Sequence, residues 1–327
     1  MIPIPLALKR LVPGYTQRWR KRYAGFMAYM NREVPKLHFG ETDGTPWIER
    51  AEDGLRLHGF WTEPANADAY DMLRPDLPGS LPKPHFRLVK DYINRYLFPH
   101  MRPDLKPEGF DVEQLWGFHG QHKDAIADYP DSVARERLMR AFTPKPGETF
   151  IDGGAFLGFG DIRMAREVLD CRVIAVEANR DCHALLSRNL QHNGINAVIA
   201  RHNGVWKAAG SLNLETGFAQ ANSLVEEVHK GDRTQIVETI SVDGIVAAEG
   251  LDRLSMLSLT LNGAEVEALE GAKDTLTRLR PRIRLAGWYS RGDRKISAIT
   301  AEQLAAYDYD VFVGPRNNTM ALPKELA

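Results

Sequence analysis

From residue 149 to residue 322, short apolar and β-branched runs alternate with stretches in which apolar residues recur at helical spacing. Residues 149–151 form a strand-like run that breaks at Asp152-Gly153-Gly154. Ile162, Ala165, Val168 and Leu169 give residues 161–169 one apolar face, and residues 172–176 make a second buried-type strand ending on Glu177. The pattern then predicts a helix over 182–193, closed by Asn193-Gly194, a left-handed stop. A third strand over 197–200 leads into the polar turn Arg201-His202-Asn203-Gly204, and further strands follow over 205–214 and 236–242. Residues 256–261 are strand-like and run into Asn262-Gly263, after which one helix is predicted over 264–279. A strand over 283–286 ends at Gly287-Trp288-Tyr289; a last helix over 299–307 precedes a closing hairpin over 309–313 and 319–322. Strands alternating with helices imply a mainly parallel sheet with right-handed crossovers, the hairpin adding an antiparallel edge.

The amino-terminal part is patterned differently. Residues 45–60 alternate around Asp53-Gly54, a strong hairpin signal. Proline is dense between Pro64 and Pro107 and breaks that region into short pieces. Residues 86–97 have Leu88, Tyr92, Ile93 and Tyr96 along one side of a predicted helix, and a second helix over 129–142 starts at Pro130-Asp131-Ser132. With a boundary in 143–148, residues 1–146 are expected to be an α+β cap facing the substrate, and residues 147–327 the α/β domain.

Bulk properties narrow the classes. The 327 residues are 43% hydrophobic and 26% charged, which suits a soluble chain with a large core. A net charge of −1 and the lack of a basic stripe with interleaved aromatics argue against nucleic acid as partner. Cys171 and Cys182 flank the second strand and read as packed thiols, not as a disulfide framework. No apolar run approaches the ~20 residues that span a bilayer, and the first residues lack the features of a secretion leader, so the cytoplasm is expected. Residues 1–31 carry Lys9, Arg10, Arg18, Arg20, Lys21 and Arg22 and no acid. They read either as an arm for an anionic membrane surface or partner, or as a solvated terminus whose Trp19, Tyr23 and Phe26 pack on the domain. Self-association is a further expectation.

The glycine turn points to the chemistry. Gly154, Gly158 and Gly160 let the backbone turn sharply and approach a ligand. Glu177 lies 19 residues beyond Gly158 (177−158), the spacing of an acid that takes ribose hydroxyls at the strand ends of a doubly wound sheet. A nucleoside-containing cofactor follows. A nicotinamide dehydrogenase would share this acid, but its G-x-G-x-x-G fingerprint is absent: the glycines stand as Gly154-x-x-x-Gly158-x-Gly160.

Five ordered segments of residues 148–285 resemble the FkbM family of S-adenosylmethionine-dependent methyltransferases. They are FIDGGAFLG against a glycine-rich DxGAxxG turn, AVEAN against xEPN with Ala178 for proline, ETISVDGIV with Asp243 kept, LSLTLNGAEVEALEGA against lKiDvEGaEleVLrGa, and LRPRIRLA against rPxilxE. The resemblance implies a Rossmann-like class I methyltransferase fold, a mainly parallel seven-stranded sheet, and S-adenosyl-L-methionine as donor. It places Asp152, Gly153, Gly154, Ala155, Phe156, Gly158, Glu177, Ala178 and Asn203 around that cofactor. Asp152 would receive the methionine amino group, although an aspartate after a strand also caps turns. It further implies transfer to a hydroxyl of a sugar, glycan or secondary metabolite.

Ser258, Thr260 and Asn262 stand where the family has Lys, Asp and Glu, and Ala286 where it has a later Glu. Hard cations want carboxylate oxygens, so a metal-assisted reaction is not expected. Thr260 and Asn262 are left as neutral hydrogen-bonding groups at the strand end and as catalytic candidates. His122 is the preferred base, with His119 and His202 as other candidates, each equally readable as a surface or structural histidine. Trp288 and Tyr289 read as a substrate wall or as core. The rival to an active enzyme is a donor-binding module that lost its chemistry with its carboxylates.

Overall fold

The computed structural model describes residues 37–59 except 44 and 52, residue 126, and residues 129–216, 222–225, 233–314 and 317–326. The basic arm, the proline-dense stretch with its expected helix over 86–97, and His119 and His122 lie outside the described residues. The chain divides into two compact units, residues 1–113 and 114–327.

In the first unit, β1 (Leu37–Thr42), β2 (Thr45–Arg50) and β3 (Arg56–His58) form an antiparallel sheet in chain order. The hairpin expected at Asp53-Gly54 joins β2 to β3, with Gly54 at φ 69°. Arg56 lies 3.9 Å over the Trp47 ring and 2.7 Å from Glu49, so one guanidinium ties the two strands.

The second unit is an α/β domain. Helix α1 (Ser132–Phe142) is capped by Asp131, whose carboxylate accepts from Val133 and Ala134. It is followed by β4 (Thr149–Gly153), α2 (Phe159–Glu167), β5 (Arg172–Glu177), α3 (Arg180–His192), β6 (Val198–His202), β7 (Gly204–Val205), β8 (Gly210–Thr216) and β9 (Arg233–Ile240). Then come α4 (Val242–Ala248), β10 (Met256–Leu259), α5 (Glu265–Glu270), β11 (Arg282–Leu285), β12 (Ser290–Arg291), β13 (Arg294–Lys295), α6 (Ile296–Ala305), β14 (Tyr309–Val313) and β15 (Thr319–Pro323).

The main sheet has seven strands in the order β14-β15-β11-β10-β4-β5-β6. Pairs from β11 to β6 are parallel, and β15 pairs antiparallel with both β11 and β14. The expected α/β class, seven-stranded sheet and closing hairpin are therefore present. The core is built by Ile151, Ile174, Leu257, Leu259, Ile283 and Leu285 from the sheet, with Ile245, Leu269, Leu276 and Leu304 packed over it. Helix α1 joins this unit through Arg137, which pairs with Asp310 at 2.7 Å, and through Ala141, whose carbonyl accepts from Arg282.

Several elements differ from the pattern. The helix expected over 264–279 is two pieces, α5 and a π-helical turn at Thr275–Leu279. Gly271 ends α5 where a Cβ would lie 2.6 Å from the Trp206 carbonyl oxygen, so residues 206–207 pass close against the backbone at this junction. Asp243 then receives the new start: its carboxylate accepts from the Asp274 and Thr275 N–H groups and the Thr275 hydroxyl. The third strand continues through Arg201 and His202, expected as a turn, because both stay in register with Val176 and Glu177 on β5. Val242, expected as the last residue of a strand, instead begins helix α4 behind a Ser241 cap.

Candidate functional site

The carboxyl ends of β4 and β5 carry the glycine turn. The N–H groups of Gly154 and Ala155 both donate to the Val176 carbonyl, at 2.8 and 3.1 Å, so the turn starts by following β5. Gly154 adopts φ 84°, and a Cβ there would stand 2.1 Å from the Thr260 carbonyl oxygen. Gly158 adopts φ 76° at the head of α2, where a Cβ would stand 2.2 Å from Leu186 Cδ1. Both glycines thus answer to close packing inside the protein. Asn189, fully buried on α3, donates to the Leu157 carbonyl at 3.0 Å and pins the turn from the other side.

Glu177 closes the turn. Its Oε2 accepts from the Phe156 N–H and its Oε1 from the Asn179 N–H, both at 2.8 Å. Phe156 is held at φ 55°, a conformation that a non-glycine residue seldom adopts without such a tether. Burial pushes the Glu177 carboxyl up to about 7, against the two N–H groups that favour its anion. A carboxylate has about four acceptor positions, and these N–H groups use two. Asn179 also caps α3, its side chain accepting from Asp181 and Cys182.

A polar row crosses the sheet beside the turn. Arg284 on β11 pairs in register with Ser258 on β10, and Ser258 with Asp152 on β4, which puts the three on one face. Arg284 Nη1 donates to Thr260 Oγ1 at 2.8 Å and lies 3.4 Å from Ser258 Oγ. Asp161, 1% exposed in the first turn of α2, meets Asp152 carboxyl to carboxyl. Burial raises Asp152 to about 6, opposed by Arg284 and by hydrogen bonds from Ser258 and Asp161. Burial and the neighbouring Asp152 also push Asp161 well above the ordinary carboxylate range. Asp161 Oδ2 is buried with no donor in reach.

Beyond Thr260 the backbone turns through Asn262 (φ 52°) and Gly263 (φ 114°). Glu265 on α5 holds this turn, its fully buried carboxyl accepting from Leu261 at 2.8 Å and Gly263 at 2.9 Å. Asn262 is itself buried: Nδ2 donates to the Asn222 carbonyl at 2.9 Å, and its own carbonyl accepts from the Ser223 hydroxyl at 2.8 Å. Its amide and carbonyl therefore fasten residues 222 and 223.

The candidates named from sequence thus fall into three groups. Asp152, Gly153, Gly154, Ala155, Phe156, Gly158 and Glu177 come together at the turn, and Thr260, the residue after β10, donates its N–H to the Gly153 carbonyl at 2.8 Å. Ala178, His202 and Asn203 lie along the β5–β6 edge: His202 Nε2 is 3.1 Å from the Ala178 carbonyl and its ring stacks on His183, while Asn203 donates to the Glu238 carbonyl at 3.3 Å. Trp288 is exposed and Tyr289 partly buried, their rings 6.2 Å apart after β11. Asp161, Asn189, Glu265 and Arg284 were not singled out from sequence. Arg284 had a signal, a charged residue inside an apolar strand; the others read as ordinary helix positions.

These buried acids make stability depend on pH. Glu177 and Glu265 have folded pKa values of about 7 and Asp152 about 6, all raised by burial above their ordinary values of 4.5 and 3.8. Between the unfolded and folded values the native state holds more protons, so ligand-free stability falls as pH rises from about 4.5 to 7. Each unit of separation is worth about 1.4 kcal/mol. Urea titrations at pH 5 and 7.5 should show the protein less stable at pH 7.5, and Glu265→Gln should flatten that slope. Equal stability at both values would refute the assignment.

Residues 152–310 match the family model for the methyltransferase FkbM domain. The chain is also similar to methyltransferase sdnD of Sordaria araneosa, with 27% identity over 183 residues, 46% of this chain and 70% of the relative. Among solved structures it is similar to methyltransferase FkbM from Methylobacillus flagellatus KT (TM-score 0.42, 14% identity, 64% of this chain), and it spans 58% of that chain's length. A precorrin-6y C5,15-methyltransferase from Geobacter metallireducens GS-15 gives a TM-score of 0.35 at 14% identity, with 56% of this chain and 81% of that chain covered.

Proposed function

We propose, from the premise that residues 152–310 are a methyltransferase FkbM domain, that this chain transfers a methyl group from S-adenosylmethionine to a hydroxyl of a glycan or small metabolite. The observation that carries the donor is the placement of Asp152 and Glu177 at the carboxyl ends of the adjacent parallel strands β4 and β5, beside a turn with positive φ at Gly154, Phe156 and Gly158. The donor set fits the cofactor. Glu177 is tethered by two backbone N–H groups and keeps acceptor capacity for ribose hydroxyls. Asp152 supplies an anion for the donor's amino end, and buried Asp161 Oδ2 still lacks a donor.

When bound, the cofactor supplies an electrophilic methyl group. The chain's own contribution is to hold the reacting groups in line, which can supply about 7–11 kcal/mol of the barrier. Thr260, the residue after β10, offers a hydroxyl oriented by Arg284. His122 is retained as the candidate base. The acceptor and a reaction without metal follow from the resemblance and from Ser258, Thr260 and Asn262 standing in place of charged residues.

Calorimetry with S-adenosylhomocysteine and with NAD tests the donor: micromolar binding of the first and none of the second is expected. Tight binding of NAD alone would overturn the reading. Labelled methyl groups offered with cell extract then test transfer, and a protein that binds the donor and labels nothing would favour a binding module.

A further inference from the structure

Arg284 is 4% exposed, yet its guanidinium reaches along the sheet and away from its own strand. Neighbouring strands lie about 4.8 Å apart, so the backbones of Arg284 and Asp152 stand about 10 Å apart across β10, a gap that the two side chains narrow from opposite ends. The direction is fixed by contacts on the intervening strand: Nη1 sits 2.8 Å from Thr260 Oγ1 and 3.4 Å from Ser258 Oγ. Ser258, fully buried between them, is small enough to leave that path open. The charged and titratable groups that face Asp152 are Asp161 from α2, Glu177 from the end of β5 and Arg284 from β11. Glu265 on α5 acts on Arg284. Only Arg284 among these is a cation, and its charge favours the Asp152 anion together with the hydrogen bonds from Ser258 and Asp161.

We propose that Arg284 is a positioning residue for the methyl donor: from two strands away its charge favours the Asp152 anion beside Asp161, and so sets affinity for the donor's cationic amino group. The proposal rests on the donor reading above. It also accounts for the residue on β10, because a long side chain at position 258 would stand between guanidinium and carboxylate.

The sign of the effect is fixed. Asp152 titrates at about 6 with Arg284 lowering it, so removing the guanidinium moves the midpoint upward. One unit of movement leaves Asp152 about half neutral at pH 7, and two units leave it about nine-tenths neutral. Arg284→Met and Arg284→Gln should therefore bind S-adenosylhomocysteine about two- to tenfold more weakly at pH 7, with the gap closing towards pH 9. Arg284→Lys, which keeps the charge, should stay near wild type. Arg284→Gln keeps a donor for Thr260 without the charge, so a purely hydrogen-bonding role would leave its pH profile unmoved. The Asp152 carboxyl carbon, followed by NMR without ligand, should titrate higher in the two neutral variants. Wild-type binding with unchanged affinity, pH profile and Asp152 midpoint in Arg284→Gln would overturn the proposal. A wild-type protein that binds no S-adenosylhomocysteine at any pH would sink the donor reading and the proposal with it. The ligand-free Asp152 titration tells the two failures apart.

Discussion

Gly154→Ala should yield no stably folded carboxyl-terminal domain. The new Cβ would stand 2.1 Å from the Thr260 carbonyl oxygen and 2.9 Å from its carbonyl carbon, both backbone atoms. Neither can turn aside as a side chain would. Thr260 donates its N–H to the Gly153 carbonyl at 2.8 Å, so relieving the clash means parting β4 from β10 at the centre of the sheet. The φ of 84° adds about 1–2 kcal/mol for any residue with a Cβ. Together these exceed about 4 kcal/mol, a large share of the 5–15 kcal/mol by which domains are stable. Gly147→Ala and Gly250→Ala are the controls. They have φ of 74° and 59°, and no atom lies within 4 Å of the added Cβ, so each should lose only about 1 kcal/mol. Thermal denaturation decides it: a Gly154→Ala melting temperature matching that of Gly147→Ala would mean the approach to Thr260 is not close.

Glu177→Ala should damage both stability and donor binding. It strands the N–H groups of Phe156 and Asn179, the first partly and the second fully buried, at about 1–3 kcal/mol each, so a loss of about 2–6 kcal/mol is expected by urea denaturation. Phe156 loses the contact that holds its positive φ, and the turn loses its shape as well as its acceptor. Binding of S-adenosylhomocysteine should weaken by about a hundredfold or more, since hydrogen bonds to a charged group are worth about 1.5–3 kcal/mol each. Glu177→Gln should lie between, because its amide can accept from only one of the two N–H groups. An alanine variant that binds as the wild type does would remove Glu177 from the site.

The legible parts of the site were those with local cause. The strand-turn-helix unit at 149–177 could be read because glycines at positive φ leave a mark in the sequence and an acid at a strand end leaves another. The purpose of those glycines was not legible. Thr260 and Leu186, whose atoms crowd Gly154 and Gly158, are 106 and 28 residues away (260−154 and 186−158). Asn262 illustrates the same limit. Its place after a strand end suggested chemistry, and only the path of residues 222–223 shows its amide and carbonyl bound to that segment. The continuous helix expected over 264–279 follows from periodicity along the chain, whereas the close passage of residues 206–207 at Gly271, where the two helical pieces part, is set by residues more than 60 positions away (271−207).

Sequence by itself determined the α/β class, the glycine turn with Glu177, and the closing hairpin, since hydrophobic period and turn chemistry act over a few neighbouring residues. Tertiary structure alone decided which charges meet. Strand register laid Arg284, Ser258 and Asp152 in one row, and the packing of α2 brought Asp161 onto Asp152. Electrostatic coupling depends on distance through the fold and on exclusion of water, neither of which spacing along the chain encodes.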